Sequence, residues 1–147
     1  MTDIVTWPET TLLCATEFLA FRDISRRIPI LLDLVFSTLA DQGAWQNGPV
    51  HLVYEIREGG TWIACGVQVK GEVRLTDGLA WVLLPAAETA QALHIGNYGG
   101  LPEAHQKLDA WIVEEGRQAK GLSWEVYGDW VDNETQLQTW VYKALAE

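Results

Sequence analysis

Residues 28–54 read IPILLDLVFSTLADQGAWQNGPVHLVY and residues 101–127 read LPEAHQKLDAWIVEEGRQAKGLSWEVY, and the two stretches match at a spacing of 73 residues. Their identities fall on residues that shape a backbone. The matched residues are Pro29 and Pro102, Gly43 and Gly116, Gly48 and Gly121, and Val53-Tyr54 and Val126-Tyr127. A proline suits the first turn of a helix, and a glycine suits the position after its end. The pattern therefore predicts two copies of one unit.

The match extends beyond these stretches in both directions. Thr16 with Thr89 and Lys70 with Lys143 keep the spacing of 73 residues, which predicts that the copies align without a gap. A unit that occurs twice commonly packs face to face about a pseudo-two-fold axis. We therefore expect one domain built from two halves, with a cleft between them lined by equivalent residues.

Hydrophobic periodicity predicts the content of each copy. Helical spacing covers residues 28–40 and 101–118, with the proline in the first turn and the glycine just past the end. Strands are predicted at residues 11–22, 49–56 and 62–73, then at 81–95 with an interruption at Pro85, and at 123–130 and 137–145. For residues 11–22 a short helix is the alternative. Residues 1–10 are expected to be a lead-in. Each copy is thus a strand-helix-strand-strand unit.

The clearest difference between the copies lies in their matched strand, where Leu52 corresponds to Glu125. Residues two apart in a strand share a face, so Glu125 would lie beside Tyr127 while Trp124 lies on the opposite, buried face. Most glutamates lie on solvated faces. A carboxylate beside a tyrosine, on a strand whose other side is covered, instead favours a functional Glu125.

The charge balance restricts the kinds of partner. Twenty acidic and ten basic residues give a net charge of −10. A nucleic-acid backbone would repel such a chain, so no nucleic-acid binding is expected. A negative field would favour cationic ligands, although it could serve solubility alone. Eight tryptophans and four tyrosines can fill a small core, and they can also line a site for flat or cationic molecules.

The cysteines and histidines point away from a metal site. Cys14 and Cys65 match no metal or redox spacing and lie in apolar stretches, which predicts buried, reduced thiols in a cytoplasmic protein. The histidines have no metal-ligand spacing either, so no metal and no other cofactor are expected. The start of the chain does not read as a signal peptide, and no apolar run reaches transmembrane length. We therefore expect a cytoplasmic protein without a membrane partner.

The segment HIGNYGG at residues 94–100 could be mistaken for a phosphate-binding loop. It has no lysine, and its glycine spacing does not fit the dinucleotide fingerprint. A turn from strand to helix is favoured. His94 could act as a general base, but it corresponds to Phe21 in the first copy, and a structural role is favoured.

Four pieces of the chain occur in a distinctive order: Leu84-Pro85-Ala86-Ala87-Glu88-Thr89-Ala90, His94-x-Gly96-x-Tyr98, a helix with Leu108 and Trp111, and Trp124-Glu125-Val126-Tyr127. In this order they resemble the GyrI-like small-molecule-binding domain, which is also the effector-binding half of multidrug-sensing transcription activators. The resemblance implies a single domain over residues 1–147, with repeats at about 11–73 and about 84–146. No DNA-binding helices precede it, so a stand-alone form is expected.

The same resemblance implies the fold class and the site. The class is α+β, with two pseudo-symmetric strand-helix-strand-strand repeats that form a curved antiparallel sheet and contribute one helix each. A ligand cleft lined by aromatic side chains lies between the halves. In members that bind lipophilic cations, a buried glutamate in a Glu-x-Tyr motif meets the positive charge, and Glu125 holds that position. The expected ligand-binding residues are Glu125, Tyr127, Tyr54, Leu52, Tyr98 and Trp140.

Three interpretations of function remain open at this point. The leading one is a binding protein for small amphipathic or cationic aromatic molecules, with Glu125 as the charge reader. The alternative is a hydrolase that adds water to strained electrophilic rings, as some stand-alone members look able to do. Glu125 would then position or deprotonate water, and a hydroxyl such as that of Tyr98 would polarise the leaving atom. The third is the binding of a protein partner, as in gyrase-inhibitory members.

Overall fold

In a computed structural model that describes residues 2–147, two helices pack on one face of a large antiparallel sheet. The helices are Ile24–Gln42 (α1) and Leu101–Glu114 (α2). The strands are Thr2–Trp7 (β1), Thr10–Leu19 (β2), Trp45–Gln46 (β3), His51–Arg57 (β4), Gly60–Val67 (β5), Val69–Lys70 (β6), Leu79–Leu84 (β7), Ala87–Ile95 (β8), Ala119–Tyr127 (β9) and Gln138–Leu145 (β10). The predicted α+β class and the curved antiparallel sheet are confirmed.

The eight-stranded sheet has the order β1-β8-β10-β9-β4-β5-β2-β7, and β3 pairs with β6 in a separate ribbon. The predicted order of strand, helix, strand and strand is present twice, as β2-α1-β4-β5 and β8-α2-β9-β10. Each of these units gains a strand from the other half, because β1 pairs with β8 and β7 pairs with β2. The prediction of a lead-in at residues 1–10 is therefore wrong, since Thr2–Trp7 form an edge strand.

The two halves are related by a pseudo-two-fold axis, and the strand pairing gives their equivalent residues. The equivalents are Leu52 and Glu125 in the central strands, Cys65 and Val141 in their partners, and Ala15 and Ala92 one strand further out. The separations are 73, 76 and 77 residues. The expectation of a gapless register is therefore wrong outside the central region, because the connecting turns of the two halves differ in length.

The helices show where the spacing changes. Pro102 lies in the first turn of α2, as predicted, but Pro29 lies inside α1, which already begins at Ile24. The prediction that Pro29 opens its helix is therefore wrong. The helix ends do agree, since Gly43 and Gly116 follow their helices with φ angles of 67° and 70°. This left-handed conformation ends a helix at little cost only in a residue without a Cβ. The extra turn of α1 thus lies at its start.

The sheet has a helix face and an inner face, each with its own core. On the helix face, α1 packs against β2 and β5, and α2 packs against β8. On the inner face, the ring of Trp7 in edge strand β1 lies 5.1 Å from that of Trp124 in β9 and 4.7 Å from that of Tyr142 in β10. Because β1 and β9 are separated by two strands, these contacts require a strongly curled sheet. The aromatic residues of the inner face thus fill the inside of that curl.

Both cysteines are buried and free, as predicted. Burial raises the pKa of the Cys65 thiol to about 12 and also raises that of Cys14, so neither thiol ionises readily. Among residues 2–147, neither helix combines the length and apolarity that would be needed to cross a membrane.

Candidate functional site

Glu125 is a buried carboxylate on the helix face, with 4% of its surface exposed. Its Oε1 accepts hydrogen bonds from the hydroxyl of Tyr54 at 3.0 Å and from that of Tyr127 at 2.6 Å. Its Oε2 lies 2.7 Å from Nε2 of His105. These four residues, here called the Glu125 cluster, come from β4, β9 and α2. A buried carboxylate is stable only with such partners.

Strand alternation explains why Glu125 points toward the helices. Its neighbours Trp124 and Val126 belong to the core of the inner face, so the period of two places Glu125 and Tyr127 on the helix face. Tyr54 reaches the same oxygen from β4, where it is paired with Ser123, two residues before Glu125. The burial of Trp124 and Val126 in the inner-face core thus places the carboxylate beside both phenols.

The two tyrosines are neutral donors. Burial raises the pKa of Tyr54 and of Tyr127 well above the usual range, and the negative charge of Glu125 and the hydrogen bonds to it raise both further. Neither phenol can give up its proton without placing a second negative charge beside the carboxylate. They therefore stabilise Glu125 without cancelling its charge.

Glu125 has no strong permanent counter-ion. Within residues 2–147, its one ion-pair partner is His105, and that pair is charged on both sides only when the imidazole is protonated. Lys143, which emerges from the neighbouring strand β10, lies instead 2.9 Å from Asp109 of α2. A buried carboxylate with neutral donors and a conditional cation is suited to receive a positively charged group.

A row of rings connects the cluster with the surface. The ring of Tyr98 lies 5.3 Å from that of Tyr127 in an edge-on arrangement, and the ring of Trp130 lies 6.4 Å from that of Tyr98. Exposure rises from the buried carboxylate to Trp130, which is 63% exposed. On the other side, the ring of His105 meets that of Tyr54 edge-on at 6.3 Å. Aromatic side chains therefore flank Glu125.

The structure brings most of the residues predicted from the sequence together. Tyr54 and Tyr127 bind Glu125 directly, Leu52 lies opposite it in the β4–β9 pair, and Tyr98 approaches through the ring of Tyr127. Trp140 is separated from them. It pairs with Val126 and packs with the inner-face core, so it lies on the other side of the sheet from Glu125.

His94 and the glycines after it have structural roles. Nε2 of His94 lies 2.8 Å from the carbonyl oxygen of Asn97, which ties the end of β8 to the turn that leads into α2. A Cβ on Gly100 would lie 2.7 Å from Cε1 of His94, so a larger residue there would require the ring to move. The segment HIGNYGG is thus a turn packed around an imidazole, in the place where a strand-to-helix turn was predicted.

His105 is the member of the cluster that the sequence analysis missed. Histidine spacing was considered only as a metal signal, and no metal pattern exists. A different signal was present, because His105 falls in the spacing of Leu101, Leu108 and Ile112, the buried residues of α2. A polar residue on the buried stripe of a helix needs a partner in the core. Here that partner is Glu125.

Two other features bear on ligand sites. Residues 2–147 contain no group of three or more His, Cys, Asp or Glu side chains placed to hold a metal ion. A surface depression exists at the C-terminal end of α1, lined by residues 41–43, residues 71–74 and Trp81. It contains no member of the Glu125 cluster and is lined largely by polar and charged residues. The chemistry of the buried carboxylate therefore lies elsewhere.

Comparison with solved structures identifies the fold. The EcmrR C-terminal domain superposes with a TM-score of 0.81 at 16% identity, over 100% of this chain and 98% of that domain. The chain spans 57% of the EcmrR chain in a DNA complex. SAV2435 bound to tetraphenylphosphonium gives 0.73 at 11% identity, over 99% and 94% of the two chains. A hydrolase from Listeria innocua gives 0.63 at 12% identity, over 99% and 91%.

These comparisons establish the fold class. The chain has the fold of GyrI-like effector-binding domains of multidrug-sensing regulators, as the sequence resemblance implied. No protein-family model and no curated protein sequence matches the chain. The assignment therefore rests on three-dimensional similarity at low sequence identity.

Proposed function

We propose that this protein binds small amphipathic or cationic aromatic molecules over the central strands β4 and β9, with Glu125 as the residue that reads positive charge. The observation that carries the proposal is the buried carboxylate, whose two phenol partners are neutral and whose only ion-pair partner in residues 2–147 is a histidine. A solved structure of the same fold holds tetraphenylphosphonium, a lipophilic aromatic cation.

The position of the cluster suits such a guest. The helices pack against β2, β5 and β8, so the two central strands lie between them. Tyr98 and Trp130 offer rings on the way to the carboxylate, and aromatic faces attract cations. The net charge of −10 would favour the approach of a cation over long distances. In this proposal the two repeats act as one binding domain whose partner is the small molecule.

The test is to remove the charge of Glu125 and keep its shape. Glu125→Gln should weaken the binding of benzyltrimethylammonium by about 1–3 kcal/mol, the cost typical of losing a buried charged partner. Neopentylbenzene has the same shape with carbon in place of the charged nitrogen, and its binding should hardly change. Titration calorimetry on both proteins measures the difference. An equal loss for both compounds, or no loss for either, would exclude Glu125 as the charge reader.

A second candidate function is hydrolysis of a strained electrophile. Two observations favour it: a hydrolase has this fold, and His105 with two phenols converges on one carboxylate. Glu125 could then orient or deprotonate a water molecule while a phenol hydroxyl polarises the leaving atom. Tyr98, the phenol first assigned to that step, contacts the ring of Tyr127 rather than the carboxylate. Tyr54 and Tyr127 are better placed.

Turnover separates the two functions. A binding protein returns an epoxide or another strained ring unchanged, whereas a hydrolase converts it to the hydrated product at a rate that depends on enzyme concentration. Mass spectrometry after incubation detects the added water. If the wild-type protein consumed the compound and Glu125→Gln bound it without conversion, the hydrolase would replace the binding protein as the proposed function.

A further inference from the structure

The two oxygens of Glu125 have different kinds of partner. Oε1 receives both phenol hydroxyls, which belong to the adjacent central strands β4 and β9. Oε2 has His105, which belongs to α2 and whose side chain is 20% exposed, against 5% for the side chain of Glu125. The tyrosine side is therefore part of the sheet core, while the histidine side faces the solvent-accessible edge of the cluster.

We propose that His105 is a built-in competitor for the ligand: its ring occupies Oε2 of Glu125 until a cationic guest displaces it, and this exchange decides which guests can bind. The inference rests on the binding function proposed above and names the side chain that regulates that site. His105 is the only partner of the carboxylate in residues 2–147 that can carry a positive charge, so it holds the place that a guest's positive charge would take.

The exchange explains a preference for cations in energetic terms. Moving the His105 ring away leaves a buried carboxylate oxygen without its donor, and an unpaired buried charge is costly. A cationic guest replaces the lost interaction, whereas a neutral aromatic guest cannot. A neutral compound therefore has two disadvantages. It has no electrostatic attraction to Glu125, and it must break the His105–Glu125 contact without replacing it. Removing His105 should reduce this discrimination.

The contact between Asp109 and Lys143 provides a matched control. It joins the same helix to the same sheet one turn further along, but it does not involve Glu125. Asp109→Asn weakens this second attachment of α2 and leaves His105 on the carboxylate. A change that acts only by loosening the helix would therefore appear in Asp109→Asn as well as in His105 variants.

The experiment measures tetraphenylphosphonium binding by titration calorimetry, because the charge of this ion does not vary with pH. His105→Ala should bind it about tenfold more tightly than the wild type, as expected from the loss of one competing charge-assisted hydrogen bond. His105→Gln, which offers a donor without a charge, should lie between the two. Asp109→Asn should stay within about threefold of the wild type, the change expected when a partly exposed ion pair that does not involve Glu125 loses one charge.

Unchanged or weaker binding by His105→Ala would overturn the proposal. So would equal tightening by Asp109→Asn.

The outcomes separate this inference from the proposed function. If Glu125→Gln binds tetraphenylphosphonium as well as the wild type does, the charge-reading function fails whatever His105 does. If Glu125→Gln binds weakly and His105→Ala does not bind more tightly, the function stands and the competitor role fails. If only His105→Ala binds measurably, both are supported, and if no variant binds, both fail. Thermal melting of each variant confirms that it is folded.

Discussion

Leu52 and Glu125 are opposite each other in the β4–β9 pair, and they are also equivalent residues of the two repeats. The other pairs of this ladder join non-equivalent residues, such as Tyr54 with Ser123. The pseudo-two-fold axis therefore passes between Leu52 and Glu125. Tyr54 and Tyr127, which are equivalent to each other, lie on either side of the axis and both reach Oε1 of the same carboxylate.

A first prediction follows for a second carboxylate at this axis. Leu52→Glu would bury a like charge directly opposite Glu125, which should lower the free energy of unfolding by more than about 3 kcal/mol. Exchanging the residues, with Glu125→Leu added to Leu52→Glu, should recover much of that loss, because the symmetry offers both phenols to either position. Leu52→Met should cost less than about 1.5 kcal/mol. Urea unfolding measures all three, and a double variant no more stable than Leu52→Glu would contradict the equivalence.

A second prediction concerns the two phenol hydroxyls. Tyr127→Phe should destabilise the protein by about 1.5–3 kcal/mol, because it removes a hydrogen bond to a buried charged group. Tyr54→Phe should cost less, since its hydrogen bond is longer, at 3.0 Å against 2.6 Å. Tyr98→Phe is the control, because Tyr98 meets the cluster through its ring. Denaturant unfolding gives the order, and equal values for all three variants would show that the hydroxyls do not matter.

A third prediction concerns alkaline pH. The folded protein raises the pKa of all four tyrosines through burial, and for Tyr54 and Tyr127 the charge of Glu125 raises it further. A raised folded pKa means that the unfolded chain loses its protons first. The resulting stability is complete below the usual tyrosine range and falls as the pH rises from there toward the raised pKa of the folded protein. Ionisation of the buried Tyr54 and Tyr127 should therefore accompany unfolding, and in Tyr127→Phe stability should fall less steeply with pH. Tyrosinate absorbance that rises to its full value while the circular dichroism spectrum remains native would contradict this.

A fourth prediction concerns the contact between β2 and β5. A Cβ on Gly66 would lie 1.9 Å from the carbonyl oxygen of Leu13, which is backbone and cannot move aside. Gly66→Ala should therefore destabilise the protein by more than about 3 kcal/mol or prevent folding. Gly99→Ala is the control, because its new Cβ would meet only the side-chain oxygen of Asn97 at 3.2 Å. Thermal melting compares the two variants, and similar melting temperatures would contradict the close approach.

Local signals made the centre of each repeat predictable. The glycines that end both helices and the Val-Tyr pairs of β4 and β9 are short-range features, and they agree with the structure. Residues Thr2–Trp7 did not carry such a signal, because this edge strand is largely exposed and forms only by pairing with β8, far along the chain. Pro29 gave a wrong start for α1. A 3₁₀ turn at Phe21–Asp23 leads into the helix, which therefore begins at Ile24, before the proline.

The part of the site that lies within a single strand was predictable from the sequence. The period of two placed Glu125 beside Tyr127, and the repeat added Tyr54. The spacing of the buried residues of α2 directs His105 toward the sheet, but which side chain it meets there depends on where the helix lies over the strands, which the helix sequence alone does not give. The face of the sheet on which Trp140 lies depends on the register between β9 and β10. A shift of one residue in that register would move every side chain of β10 to the opposite face. The long connection between these strands leaves that register open until the fold is known.

Each half of the sheet ends in a strand from the other half, because β1 pairs with β8 and β7 pairs with β2. This arrangement bears on how a single charged site can arise at the axis. In a dimer of two separate, identical chains, β1 and β7 would be one strand swapped between molecules, and the axis would be a true symmetry axis. Any residue at the position of Leu52 would then face its own copy, so a glutamate would always bring a second glutamate against it. Two copies within one polypeptide can differ in sequence, so one can carry leucine and the other glutamate. The lone carboxylate is thus out of reach for a dimer of identical chains.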